Sequence, residues 1–120
     1  MCSRPTRRDR SSASSSTGPL VGFVCLIQIH LHLPDNGSLK GKRKEIVSLR
    51  AQLQRRFGAA VSETAHHELW QRATLSAALV GRDAAVVSDA AAKLERYVDR
   101  CFPDGVRVER GLVSVDEVLG

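Results

Sequence analysis

The sequence predicts an α+β sandwich in which two helices cover one face of a four-stranded antiparallel sheet. Two observations lead to this fold class. Apolar residues alternate with period two over residues 21–33 and then recur with helical period over residues 38–57. The same two periods return between residues 59 and 115, with two strands before a second helix and one strand after it.

The first predicted strand, residues 21–33, is apolar on both faces at its start. One face stays apolar to the end, whereas the other changes from Val24 and Leu26 to Gln28, His30 and His32. A strand that is apolar on both faces belongs in the middle of a sheet rather than at its edge. The Pro-Asp-Asn-Gly sequence at residues 34–37 ends it.

The first helix is predicted from one apolar stripe and from signals at both ends. Ser38 is the expected N-cap, and Gly58 occupies the C′ position after the last turn. We expect the stripe to be buried and to be flanked by Lys42, Arg43 and Arg50. The residues of the stripe are Leu39, Ile46, Leu49, Leu53 and Phe57.

Positive charge is concentrated on this helix. The chain of 120 residues has a net charge of +5, and residues 40–56 alone hold seven cations and one anion, Glu45. Cations in the first turn of a helix oppose its macrodipole, so their presence there suggests a use in binding. Such a concentration of positive charge attracts phosphate-rich or acidic partners, although a run of charged residues is also typical of a solvent-exposed helix face.

The second half of the chain supplies three strands and a helix. Residues 59–67 alternate weakly and residues 72–80 alternate clearly, which predicts an antiparallel hairpin with its turn near residues 68–70. Asp83 caps a helix that runs to about residue 101, and residues 106–115 form a last strand whose charges suit a sheet edge. The buried stripe of this helix is predicted to be Val87, Ala90 or Ala91, Leu94, Val98 and Cys101.

Right-handed crossovers arrange these elements most simply as a ferredoxin-like βαββαβ fold with the first and third strands in the centre. The strand directions then bring His32, the helix start at residues 40–44, the hairpin turn at residues 66–72 and residues 100–104 to one end of the domain. We call this end the basic end. Segments that are far apart in sequence are expected to converge there.

The first nineteen residues are rich in Ser and Arg and contain no apolar run. They predict a disordered tail, 1–19, in front of a single domain, 20–120. The chain shows neither the apolar h-region of a signal peptide nor a stretch long enough for a transmembrane helix. Cys2, Cys25 and Cys101 lack a metal-ligand spacing, and the latter two are expected to be buried, which suits a cytoplasmic protein.

Two motifs resemble those of a known family. Ser-Leu-Lys-x-Lys-Arg matches at residues 38–43, with Gly41 where relatives often carry an acid, and Glu-Leu-Trp-Gln-Arg matches at residues 68–72, with Glu68 where Asp is commoner. Together with the strand before them, they resemble the YlxP-like family of small bacterial proteins, a domain of unknown function, over about residues 21–115. The resemblance implies a ferredoxin-like fold and no established activity. Genes of this family often neighbour translation and ribosome-maturation genes, so the resemblance also implies a ribosomal or RNA context.

The candidate site residues lie where these two motifs are expected to meet. The cations at residues 40–44 suit phosphate contacts at a helix N-terminus, or they only provide solubility. Trp70, the one Trp of the chain, is suited either to stacking on a base or anchoring a partner, or to capping the core. The predicted nucleic-acid contacts are Lys40, Lys42, Arg43, Lys44, His66, His67, Trp70 and Arg72.

Other chemistries are not indicated. The open sheet face lacks the stacking aromatics of an RNA-recognition motif, so any RNA contact is expected at the basic end. We expect no metal site, because no thiol or carboxylate pair completes a ligand set with the histidines. The histidines suit a partly solvent-exposed sheet face or an oligomer interface instead. No catalytic arrangement is visible, and we expect neither an enzyme nor a cofactor. The histidines concerned are His30, His32, His66 and His67.

The sequence therefore predicts a non-catalytic module that binds structured RNA or a ribosomal particle through its basic end. The alternative is a homodimeric protein-interaction or assembly module that uses Trp70 and the open sheet face, whose apolar side chains have no third layer above them. A small-molecule site between subunits is a third, less supported possibility. The apolar residues of the open face are Val24, Leu26, Ala78 and Val80.

Overall fold

The secondary structure follows the predicted βαββαβ order, and a short helix is added at the C-terminal end. The computed structural model describes residues 21–33 and 37–120, so the predicted tail and most of the turn at residues 34–37 lie outside it. The elements are β1 (Phe23–His32), α1 (Leu39–Phe57), β2 (Ala60–Ala65), β3 (Arg72–Gly81), α2 (Ala84–Cys101), β4 (Val106–Ser114) and α3 (Val115–Leu119). The ferredoxin-like fold class is confirmed.

The sheet has the strand order β2-β3-β1-β4, and all neighbouring strands are antiparallel. β1 and β3 are central, as the apolar character of β1 predicts. β1 pairs with β3 along its whole length, from Phe23 opposite Gly81 to His32 opposite Arg72. β4 is an edge strand, which agrees with its exposed charged side chains.

The core lies between one face of the sheet and the two long helices. α1 packs over β2, and α2 packs over β1, β3 and β4. Each fully buried Leu or Ile in this layer contributes about 1.5–3 kcal/mol to stability. The buried apolar residues on the helices are Ile46, Leu49, Leu53, Val87, Ala91, Leu94 and Val98, and their main partners on the sheet are Cys25, Ile27, Ile29, Leu31, Leu75, Ala77 and Leu79.

The helix ends are capped as predicted. The Gly41 N–H donates to the Ser38 hydroxyl over 3.0 Å, and the Asp83 carboxylate accepts from the first turn of α2. Gly58 adopts the left-handed conformation, with φ 67°, and its N–H donates to the Gln54 carbonyl. The Ser38 cap fixes where the basic first turn of α1 begins.

Two sequence expectations about the second half of the chain need correction. Cys101 is exposed, not buried, because it lies in the last turn of α2, where the helix reaches the edge of the core. The predicted last strand ends at Ser114, and α3 follows it. Ser114 and Glu117 form a capping box at the start of α3, and this sequence signal for a helix start falls at the end of the predicted strand.

Candidate nucleic-acid interface

Lys42 does not flank the apolar stripe of α1 but lies within it, and its side chain is only 2% exposed. At about 100° per residue, position 42 falls between Leu39 and Leu49 on the helix circumference, inside the buried arc. The seven-residue gap between Leu39 and Ile46 marks this position in the sequence. The prediction that Lys42 contacts a phosphate is therefore wrong, because burial removes its ammonium group from the surface.

The Lys42 ammonium group holds the turn between β2 and β3. It donates to the carbonyl oxygens of His66, His67 (3.2 Å) and Leu69 (2.7 Å). It also lies 2.9 Å from Oε2 of Glu63, a buried oxygen that has no other partner among the described residues. A buried charge is tolerated when it is paired and fully hydrogen-bonded, and Lys42 meets both conditions.

The backbone of this turn is shaped to meet the lysine. His66 has φ 63°, the left-handed conformation that His adopts more readily than bulky residues do. Its carbonyl oxygen also accepts from the Leu69 N–H, while His67 Nε2 lies 3.0 Å from the Glu63 carbonyl oxygen. The start of α1 and the hairpin turn are therefore direct neighbours.

The end of β1 and the start of β4 reach the same place. The Leu33 N–H donates to the Gln71 carbonyl over 2.8 Å, and the His32 N–H donates to the Gly105 carbonyl over 2.7 Å. The basic end thus forms by backbone and side-chain contacts between segments that are distant in sequence. This geometry is the convergence that the strand order predicts.

The remaining predicted contacts are exposed, but they point in different directions. By helix geometry, Lys40 and Arg43 lie on the side of α1 away from α2, whereas Lys44 lines the groove between the helices. Exposed His66 and Arg72 line a cleft on the other side of the hairpin turn. Trp70 is 48% exposed beside Leu69, so it does not cap the core.

That cleft, of about 580 Å³, lies where the polar half of the open sheet face meets the basic end. His30 lies 3.2 Å from both the Thr74 hydroxyl and the Glu109 carboxylate. The bond to His30, and then the charge of Arg107, lower the pKa of Glu109 below its ordinary value of 4.5. In the described residues, no three His, Cys, Asp or Glu side chains are grouped to hold a metal ion.

Comparisons with known proteins identify the family but no activity. The family model described as Protein of unknown function (DUF503) matches residues 24–108. The chain belongs to this family. No curated protein matches the sequence. A solved structure, the De novo designed protein Foldit4, has a TM-score of 0.51 and 12% sequence identity over 77% of this chain and 96% of that chain, a likeness of fold alone.

This DUF503 chain also carries a group of cations outside the predicted site residues. Lys93, Arg96 and Arg100 are spaced by three and four residues, so they share one face of α2. They line a groove of about 470 Å³ together with Arg56 of α1. Within the described ranges, no helix is both long and apolar enough to cross a bilayer.

Proposed function

We propose that this DUF503 protein is a non-catalytic module that binds structured RNA or a ribosomal particle through its basic end. The observation that carries this proposal is the junction at Lys42, where the first turn of α1 meets the hairpin turn. Exposed Lys40 and Arg43 lie in the first turns of α1, and exposed Arg72 begins β3 directly after the hairpin turn. Three cations presented by two joined segments suit the phosphates of a folded nucleic acid.

The distribution of polar and aromatic side chains supports this choice of surface. Most of the sheet face that stacks bases in an RNA-recognition motif is aliphatic or hydroxylic here, from Thr74 to Val80 on β3. The exposed Trp70 lies instead at the hairpin turn, two residues before Arg72. A base stacked on an exposed indole gains about 1–3 kcal/mol. The resemblance to YlxP-like proteins also favours an RNA partner and a cytoplasmic location.

The test is co-sedimentation with purified ribosomal subunits at roughly 50 and 200 mM salt. The informative variant is Lys40→Ala/Arg43→Ala, which leaves the structural Lys42 in place. We expect this variant to lose most of its binding at the higher salt concentration. Each phosphate contact gains free energy by releasing counterions, this gain falls as the salt concentration rises, and the variant has two fewer cations. Equal co-sedimentation of wild type and variant would contradict the proposal.

The chain offers a matched control with the same change in charge. Arg55 lies fifteen residues after Lys40 on α1, about 22 Å away. Arg82 follows β3 at the end of the sheet opposite to Arg72. The variant Arg55→Ala/Arg82→Ala should therefore bind subunits almost as well as wild type.

The alternative function, a homodimeric interaction module, is favoured by one observation on the open sheet face. Leu26 and Val80 are 56% and 73% exposed, and their cross-strand partners Ala78 and Val24 extend the apolar patch. Pairing of two such faces would remove this apolar area from water. Sedimentation velocity tests it: a wild-type dimer that Leu26→Lys/Val80→Lys converts to a monomer supports the alternative, and a monomeric wild type contradicts it.

A further inference from the structure

The groove between α1 and α2 runs away from the basic end along the outside of the helix layer. Its first part, about 450 Å³, is lined by Lys44, Gln52 and Tyr97. Its second part, about 470 Å³, is lined by Tyr97 and four cations. Both parts are lined by Tyr97 and are therefore adjacent, and we call them together the interhelical groove. The four cations are Arg56, Lys93, Arg96 and Arg100.

The positive charge of this groove is only partly neutralised. Lys93 is paired with Asp89 over 3.1 Å, and Glu45 lies beside Lys44 in the first part. Arg96 and Arg100 have no ion-pair partner in the part of the chain that the structure describes. Arginine is the side chain best suited to phosphate, since its planar group donates two parallel hydrogen bonds.

Aromatic side chains stiffen the middle of the groove. The Tyr97 ring meets the Phe57 ring edge to face, with 5.9 Å between centroids. The Arg56 guanidinium carbon lies 4.7 Å from the centroid of the same ring, and its Nε donates to Gln52. Arg56 is therefore held in place before any ligand arrives, which lowers the entropic cost of binding.

We propose that the interhelical groove binds the phosphate backbone of the same RNA that the basic end contacts, with Lys44 as the residue that joins the two surfaces. This inference rests on the proposed function and extends it. From Lys44 to Arg56 the groove follows twelve residues of α1, about 18 Å, which is long enough for several successive phosphates. Its continuity with the basic end favours RNA over an acidic peptide.

The experiment measures the affinity for a fluorescein-labelled RNA stem–loop by anisotropy. The groove variant is Arg96→Ala/Arg100→Ala, the basic-end variant is Lys40→Ala/Arg43→Ala, and the control is Arg55→Ala/Arg82→Ala. All three remove two positive charges from exposed positions, and circular dichroism melts verify that each folds. We expect the first two variants each to weaken binding about tenfold and the control to change it less than about twofold.

A second measurement uses the single Tyr and single Trp of the chain as separate reporters. In a Trp70→Phe background, only Tyr97 emits strongly, so RNA in the groove should change its fluorescence. The groove variant should abolish that change. This readout does not depend on the total charge of the protein.

The outcomes separate the two proposals. If wild type does not bind the stem–loop or the ribosomal subunits, the proposed function itself is wrong. A different result overturns the groove inference and leaves the proposal for the basic end in place. In that result the groove variant binds RNA as well as wild type does, and RNA does not change the Tyr97 fluorescence of the Trp70→Phe protein. If poly-glutamate displaces the RNA at equal charge concentration, the groove is a general polyanion surface, and its assignment to RNA is overturned.

Discussion

At the scale of single residues, Lys42 decides how the candidate site is held together. An ammonium group in an apolar layer is costly unless acceptors surround it, and here three backbone carbonyls and the Glu63 carboxylate do so. The same contacts leave Lys42 with no free donor. It therefore positions the hairpin turn rather than contacting a partner.

Replacing Lys42 should destabilise the fold strongly. In Lys42→Met the side chain keeps most of its apolar length, but three carbonyl groups lose a donor and the buried Oε2 of the Glu63 carboxylate loses its partner. We expect a loss of about 3 kcal/mol, measured by urea unfolding. The double variant Lys42→Met/Glu63→Leu should recover part of this loss, because it removes the orphaned carboxylate as well.

Lys40→Met is the matched control for that experiment, since Lys40 is exposed and lies only two residues away. Its effect should stay within about 0.5 kcal/mol. If Lys42→Met were as stable as Lys40→Met, the lysine would not hold the turn. The structure of the basic end would then not depend on Lys42.

Glu109 gives the molecule a stability contribution that depends on pH. Its pKa is lowered in the folded protein by the hydrogen bond to His30 and the charge of Arg107, so the folded state favours the carboxylate. This contribution is fully present above the ordinary value of 4.5 and is lost as pH falls through the lower folded value. The urea midpoints of wild type and Glu109→Gln should therefore differ most near neutral pH and converge in acid. A gap that widens in acid would refute this assignment.

At the scale of secondary-structure elements, the predictions hold where one local signal dominates. Alternation located β1 and β3, and Ser38, Gly58 and Asp83 fixed helix ends. The apolar stripe of α2 predicts that either Ala90 or Ala91 is buried, and in the structure Ala91 is the fully buried one. The prediction for Lys42 is wrong because its charge favours exposure, whereas its place on the helix circumference favours burial.

The close approach of β1 and β4 at the basic end depends on Gly105. A Cβ atom at this position would collide with the carbonyl oxygen of His32. Gly105→Ala should push the two strand ends apart and cost about 1–3 kcal/mol in thermal unfolding, as overpacking does. Gly37 precedes α1 with open space around its Cα, so Gly37→Ala is the control and should be nearly neutral. Equal melting temperatures for the two variants would show that the strand ends can separate freely.

At the scale of the whole molecule, these cations lie on three surfaces. Lys40 and Arg43 face away from α2, Arg72 faces the cleft at the end of the sheet, and Arg96 and Arg100 lie in the interhelical groove. The sequence located the first two groups through the fold topology. It did not locate the third group, because the cations of α2 alternate with acidic residues along the sequence. Only the packing of α2 against α1 shows which of these cations line the same groove.

The salt dependence of RNA binding measures how many of these surfaces act together. The logarithm of the affinity falls with the logarithm of salt concentration by about 0.9 for each phosphate neutralised on a duplex. Removing the basic-end pair should lower this slope by about 2, removing the groove pair should lower it by a similar amount, and the combined variant should lose about 4. The N-terminal segment is common to all variants, so its four arginines cancel in the differences. If the combined variant loses no more slope than either pair alone, the two surfaces do not contact the same RNA at the same time.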